Sequence, residues 1–374
     1  MKRILITSTD LMMVQFLIPH VRHLREKGFQ VELACSDVGG RMDDVRSALS
    51  SYTNAIHTVR LKRSPFAPGK IAGYRDLRKL LSENPYDLIW TNEPVMSVAT
   101  RLAARDCRRQ GTKVLYMCHG FHFFKGAPIL NWLLFYPIER LLSRFCDGIV
   151  TMNQEDFEAA SSFRGPEVFK IPGVGVDMTR FRRIASPDAA AKRRELGIPE
   201  DACLLLSVGE LTRRKNHRVV LRALHVLKNP NIHYMICGVG RLEPRLKRLV
   251  KVLELTDRVH FPGYRMDIPE ILRCADCFVF PSVQEGLPFA LMEAMSCGLP
   301  IVCSRIRGNA DLIDDPEGGI LCSPSDPYAY RDALLSLPSL DISAMAEYNR
   351  KKLSGFCLEH TKPLITDLVI SILS

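Results

Sequence analysis

No stretch of this chain approaches the roughly 18 consecutive apolar residues that a membrane-crossing helix needs. The longest apolar run, ILNWLLFYPI (Ile129–Ile138), is interrupted by Asn131 and Pro137. The start, MKRILITSTDLMM, reads as a first strand rather than a signal peptide, because its apolar residues run straight into Thr7-Ser8-Thr9-Asp10. Cysteine is present, 12 in all, but without any regular spacing. The one close pair, Cys274 and Cys277 in RCADCFVF, lacks the second CxxC that would complete a zinc site, and Cys277 opens an apolar strand pattern. Unpaired thiols point to a reducing, cytoplasmic compartment. What remains is ordinary for a globular protein: 47% apolar and 25% charged residues in a chain of 374, long enough for two domains.

The net charge of +10 is uneven. Residues 1–175 hold 24 Lys and Arg against 17 Asp and Glu, a net +7; residues 176–374 hold 27 against 24, a net +3. Such an excess suits an anionic membrane surface, a phosphorylated substrate or nucleic acid. No nucleic-acid module is recognisable, so that class is set aside.

Short apolar runs alternate with amphipathic segments along the whole chain. RILIT, QVELAC, DLIWT, KVLYMC and DGIVTM read as buried parallel strands in the first half; ACLLLSVG, HYMICG, VHFPG, CFVFPS and PIVCS do so in the second. Helical patterns such as FLIPHVRHLREKG, ended by Gly28, lie between them. The alternation predicts an α/β protein of two Rossmann-like, doubly wound domains facing each other across a cleft. The boundary falls in the glycine-rich KIPGVGVDMTRF. The domains are then residues 1–170, a linker 171–181, residues 182–356, and a C-terminal helix 357–374 that crosses back to the first domain.

In such sheets ligands bind beyond the carboxyl ends of the strands. The loops of interest are therefore Thr7–Asp10, Asn92–Pro94, His119–Gly126, Gly209–Asn216, Gly238–Gly240, Gly263–Arg265 and Ser282–Ala290. In PSVQEGLPFALMEAMSCGLPIV, Gly286 permits a turn and Pro288 suits the first turn of a helix. That helix begins near Leu287–Phe289, and its free amides form a phosphate site. Glu285 can accept hydrogen bonds from sugar hydroxyls; Glu293, about two turns further on, can reach a ribose diol. Lys215, with Arg213 or Arg214, brings the positive charge that a diphosphate needs, Arg214 being preferred. The GxG of Gly238 and Gly240 is a turn near the nucleotide rather than a dinucleotide fingerprint, because Glu243 stands where that fingerprint wants glycine. His119, His122, Lys125 and Gly126 gather in MCHGFHFFKGAP after a first-half strand.

These residues carry a resemblance. Glu285 and Glu293 match an E-x7-E pattern, flanked by GELTRRKN, GYRMDIPEIL, CADCFVFPS, EAMSCGLPIV and IPGVGVD. The chain resembles the GT-B glycosyltransferases of the large retaining family known as family 4. Within it, the likeness is to bacterial enzymes of exopolysaccharide, capsule and lipopolysaccharide assembly. The stretch HGFHFFKGAPILNWLLFYPIE is similar to one in transferases that extend lipid-linked sugars. The resemblance implies a hexosyltransferase that takes a nucleotide-diphosphate sugar, UDP-linked, to a lipid-linked precursor of a surface polysaccharide.

Its site residues follow from the same resemblance. Glu285 and His119 are catalytic, contacting the transferred sugar. Lys215 and Arg214 hold the diphosphate and Glu293 the ribose. Backbone groups of Gly286, Leu287, Phe289 and Ala290 bind sugar and phosphate, with Gly209 alongside and the Tyr264–Arg265 loop near the base. Asp10, His122 and Lys125 lie on the acceptor side. Neither metal nor cofactor is implied, and the chain has no Asp-x-Asp triplet of the kind that holds a cation in GT-A enzymes. Two departures stand out: Glu210 occupies the place of a common arginine, and TSTDLMMVQF lacks the usual paired glycines.

The resemblance and the basic first half together place the protein in the cytoplasm, peripheral on the anionic inner face of the membrane. The docking segment is FFKGAPILNWLLFYPIERLLSRF, whose aromatic and leucine residues stand beside Lys125, Arg140 and Arg144. Two other readings use the same fold: a nucleotide-sugar epimerase, which needs no acceptor, and a nucleotide-sugar-binding protein without catalysis.

Overall fold

Residues 1–9, 14–36, 46–47, 49–61, 70–181 and 188–374 are described by the structure, a computed structural model. They form two compact units, Met1–Gly175 with Leu358–Ser374, and Val176–Cys357.

In the first unit the strands are β1 (Arg3–Ser8), β2 (Gln30–Cys35), β3 (Ala55–Thr58), β4 (Leu88–Asn92), β5 (Lys113–Met117), β6 (Gly148–Thr151) and β7 (Glu167–Lys170). They pair in parallel in the order β3-β2-β1-β4-β5-β6-β7. The central strands are continuous apolar runs because helices cover both faces. In β4 all of Leu88, Ile89, Trp90, Thr91 and Asn92 are buried. Leu5, Ile89, Val114, Tyr116 and Phe121 lie in one core cluster.

The second unit repeats the plan with β8 (Cys203–Val208), β9 (Ile232–Cys237), β10 (Val259–Gly263), β11 (Cys277–Phe280), β12 (Ile301–Ser304) and β13 (Ile320–Cys322). Its parallel order is β10-β9-β8-β11-β12-β13. The helix Arg218–Leu227 covers it with Val219, Val220, Leu221, Ala223 and Leu224. Both sheets are doubly wound, so each has a point where the winding reverses: between β1 and β4 in the first, between β8 and β11 in the second. Those crevices are where this architecture places ligands.

The C-terminal helix Leu358–Leu373 packs on the first unit, burying Ile365, Val369 and Ile372 and accepting a 2.7 Å bond from Lys2 Nζ at Leu373 O. Glycine permits its close approach. Gly175 has φ +80°, and a Cβ there would lie 2.2 Å from Thr361 Oγ1 and 3.0 Å from Leu358 Cα. Gly175→Ala combines a strained φ with a clash, so it is expected to destabilise the protein by about 2 kcal/mol. A fall in the urea midpoint of that order checks it, and an unchanged midpoint contradicts it.

Candidate active site

The loops after β8 and β11 meet at the reversal point of the second sheet. Their backbones are knitted by Val283 N–H donating to Arg214 O at 2.8 Å. Asn216, held at φ 52°, donates through Nδ2 to Pro281 O at 3.1 Å and to Pro324 O at 2.7 Å. Gly209 leaves room for a side chain rather than for a turn alone: a Cβ there would stand 2.9 Å from Lys215 Cε. The Gly238–Gly240 turn serves the same end. A Cβ on Gly238 would meet Gly209 O at 2.0 Å, and one on Gly240 would meet Leu211 O at 2.6 Å. The loop after β9 therefore braces, backbone to backbone, the loop that carries Lys215.

Within this frame one carboxylate gathers two cations. Glu285 Oε1 accepts from Lys215 Nζ at 2.8 Å, and Glu285 Oε2 accepts from Arg214 Nη1 at 2.7 Å. Arg214 also donates to Gln284 O, whereas Arg213 is exposed. Of the two arginines, Arg214 is the one paired with Glu285. Lys215 is buried, with its Nζ 4.4 Å from the centroid of the Phe280 ring. Burial alone would raise the Glu285 pKa, but Lys215 and then Arg214 outweigh it and hold the carboxyl below its ordinary value. Burial lowers the Lys215 ammonium, with Glu285 opposing.

The helix Phe289–Ser296 starts immediately beyond, with Pro288 as its N-cap residue, whose side chain makes no capping bond. A helix N-terminus beside two cations carries positive potential of the kind that suits an anion. Gly286 is fixed from the far side by Gly308, φ +77°, whose added Cβ would fall 2.3 Å from Gly286 O. Because the helix begins at Phe289, Glu293 lies in its second turn, one turn past the helix start rather than two turns past Glu285. It is half-buried. Burial pushes its carboxyl up to about 7, against a smaller opposing pull from Arg180. Two carboxylates of one short segment are thus driven in opposite directions, the pattern expected where each has a different task.

The first unit has its own constellation at its reversal point. Glu93, directly after β4, sits at φ 63° and ψ 149°, a region that glycine favours, and is the N-cap of the helix Pro94–Ala103. Its buried carboxylate accepts from Ser8 Oγ at 2.5 Å, from Thr9 N at 3.3 Å and from Thr9 Oγ1. Neighbouring Asn92 Oδ1 accepts from His119 Nε2 at 3.1 Å. Burial lowers the His119 pKa to about 4, so the ring is neutral near pH 7. With its proton on Nε2, it presents Nδ1 as an acceptor.

Comparison with known proteins turns these geometries into an assignment. Residues 15–177 match the profile described as "Glycosyltransferase Family 4", and residues 188–352 that described as "Glycosyl transferases group 1". EpsD of Bacillus subtilis is 34% identical over 334 residues, covering 88% of this chain and 85% of EpsD. The chain belongs to glycosyltransferase family 4. A second relative is the Escherichia coli UDP-Gal:alpha-D-GlcNAc-diphosphoundecaprenol alpha-1,3-galactosyltransferase, 28% identical over 93% of this chain and 90% of its own. The fold is GT-B: HepE of Anabaena, solved with UDP and glucose, superposes with a TM-score of 0.82 over 99% of this chain and 100% of HepE, at 19% identity. The protein is accordingly a glycosyltransferase.

Not every residue expected in the family site is brought to it. Arg265 is committed elsewhere, donating to Asp267 at 2.7 Å and to Glu195 at 3.0 Å, and both carboxylates also pair with Lys192. Its neighbour Tyr264 is 46% exposed beyond β10, at the sheet edge two strands from β8. His122 stacks on Phe135, ring centroids 4.8 Å apart, and its carbonyl accepts from Asn131 Nδ2 at 2.9 Å; Lys125 is exposed. Asp10 lies outside the described residues. Gly308 lay outside every marked loop, whereas Asn216 closed the GELTRRKN motif without a role assigned to it. Glu93 lay within a strand-end loop already marked, but nothing in its type announces a positive φ. Among the described residues no three His, Cys, Asp or Glu side chains converge as metal ligands would.

Proposed function

We propose that this glycosyltransferase moves a hexose, with retention at the anomeric carbon, from a UDP-sugar to a lipid-linked precursor of a surface polysaccharide. One observation carries the reading: Glu285 held between Lys215 and Arg214 beside the N-terminus of the helix Phe289–Ser296. As the sugar–phosphate bond breaks, negative charge grows on the diphosphate, and fixed cations and amides stabilise it without rearranging. Glu285 is positioned for hydroxyls of the transferred sugar. Glu293, protonated in part near neutral pH, can both donate to and accept from a ribose diol. His119 is the first unit's candidate for a donor-sugar hydroxyl, and the departing phosphate takes the acceptor's proton. The Escherichia coli relative, whose printed name specifies a diphosphoundecaprenol acceptor, and HepE with its UDP support the choice of acceptor and donor. Work on such an acceptor places the protein on the anionic cytoplasmic face of the membrane.

The test is a panel of nucleotide sugars offered with a lipid-diphosphate sugar, with product detected by mass. Transfer to the lipid supports the reading, whereas conversion of the donor without an acceptor would mark an epimerase. With Lys215 and Arg214 as the counter-charge, transfer is expected to survive EDTA; complete loss restored by manganese or magnesium contradicts metal independence. Lys215→Ala removes a charge-assisted partner and is expected to weaken UDP binding by about 10- to 100-fold. Titration calorimetry with UDP reads it, and unchanged affinity rules out the role.

A further inference from the structure

β4 ends at Asn92, whose register partner on β5 is Met117, so His119, two residues further along, stands beside the end of β4. On its other side β4 pairs with β1 through Thr91 and Thr7. Asn92 is therefore set between the carboxyl ends of two strands, and its buried amide touches both. Nδ2 donates to Thr7 O at 3.3 Å, and Oδ1 lies 3.1 Å from His119 Nε2.

Chemistry decides which way that amide points. Thr7 O is a backbone carbonyl and can only accept. Turning the amide over would set two carbonyl oxygens against each other in a buried place, so the NH2 faces Thr7 and the oxygen faces the ring. An amide oxygen also only accepts, hence His119 Nε2 carries a proton. Burial keeps the ring neutral near pH 7, its pKa lowered to about 4, and a neutral imidazole has one proton. Nδ1 is then bare. Among the described residues it has no hydrogen-bond partner, and the ring is half-buried rather than enclosed.

The support of Asn92 is itself fixed. Glu93 turns the chain at φ 63° immediately after it and ties its carboxylate to Ser8 and Thr9 beyond β1. Ser36, directly after β2, holds the same loop by donating through Oγ to Thr9 O at 2.5 Å. The carboxyl ends of β2, β1, β4 and β5 are thus joined in one hydrogen-bonded row, and Asn92 is the member that reaches His119. A glutamate kept in backbone space that glycine favours shows placement here being held against strain. We propose that Asn92 is the positioning residue of His119, holding its ring in the Nε2–H tautomer so that Nδ1 is offered to a hydroxyl of the transferred sugar. This rests on the reading that His119 meets the donor sugar. The ring then accepts from that hydroxyl and is not a proton source for the leaving group.

Nitrogen NMR of the full chain labelled on its histidines reads the tautomer, because protonated and bare ring nitrogens resonate far apart. The His119 signals are those missing from the His119→Gln spectrum. Wild type near neutral pH is expected to show Nε2 protonated and Nδ1 bare, a result that needs no variant at Asn92. Asn92→Asp keeps an acceptor against Nε2 and is expected to keep that signature. Asn92→Leu, of similar volume, should lose it and lower kcat for transfer by about tenfold to a hundredfold, the effect of one buried hydrogen bond. UDP affinity of Asn92→Leu should stay unchanged, since Lys215 and Arg214 belong to the second unit. A wild-type His119 protonated on Nδ1 overturns the inference. So does an Asn92→Leu protein with unaltered tautomer and kcat, or one whose kcat and UDP affinity fall together, as a merely structural asparagine would give. A wild type that makes no glycosyl product would defeat the proposed function, and the nitrogen spectrum would still decide the tautomer.

Discussion

Glu285→Gln is expected to lower glycosyl transfer by about a hundredfold to a thousandfold while leaving a folded protein. The amide keeps the shape of the side chain but not its charge. Its oxygen can accept from Lys215 or from Arg214, while its NH2 is turned toward the other cation, where the wild-type carboxylate accepts from both at 2.8 and 2.7 Å. On the proposed reading, the charge that would orient a hydroxyl of the transferred sugar is lost together with the arrangement of Lys215 and Arg214, the proposed diphosphate ligands. The structural part of the effect is smaller: one charge-assisted bond given up in a buried place, about 2 kcal/mol. Circular dichroism and a denaturation curve measure that part separately. Near-normal turnover of the folded variant would remove Glu285 from the chemistry.

The prominence of Glu285 in the sequence has a physical reason, and so does the obscurity of its supports. A buried parallel strand is apolar at every position, so CFVFPS and ACLLLSVG stand out, and the charged residues after them are thereby placed at the ligand end of the sheet. Of the four edge strands, only β10 (VHFPG) has such a signature. β3 (AIHT), β7 (EVFK) and β13 (ILC) are short and largely half-exposed, and none was anticipated. The clamps around the site were equally hidden. Asn216 acts through two backbone carbonyls and Gly308 through the Cβ it lacks, and neither leaves a charge or a period to read. The helix Ile129–Leu142 shows the limit of composition. Apolar residues on every side mark it as apolar, but only its bonded inner groups, Glu139, Asn131 and Trp132, determine that leucines rather than aromatics face outward. The partners of Arg265 were equally illegible: no motif links it to Glu195, and GYRMDIPEIL holds Asp267 without showing that the two pair.

Glu293→Gln is expected to stabilise the protein increasingly as pH rises from about 5 to 8, by about 3 kcal/mol at the upper end. The folded-state pKa of Glu293 is raised to about 7 from the ordinary 4.5, with burial the cause and Arg180 in opposition. A carboxyl raised on folding binds its proton more tightly in the native state than in the unfolded one. Its favourable contribution is therefore fully present below the unfolded value and is lost as pH climbs through the folded value, where burial of the ionised form has to be borne. Glutamine has no such ionisation, so the difference between variant and wild type should open across that window and level off above it. Urea unfolding of both proteins at a series of pH values gives the curve, and a difference independent of pH contradicts the raised pKa. The same carboxyl links stability to donor binding. Ribose hydroxyls that donate to it favour the ionised form, so UDP binding by the wild type near pH 7 should release a fraction of a proton that the Glu293→Gln variant does not, a difference visible as a dependence of the calorimetric heat on the ionisation enthalpy of the buffer. A structural glutamate with no part in the nucleotide site would leave that heat unchanged by the substitution.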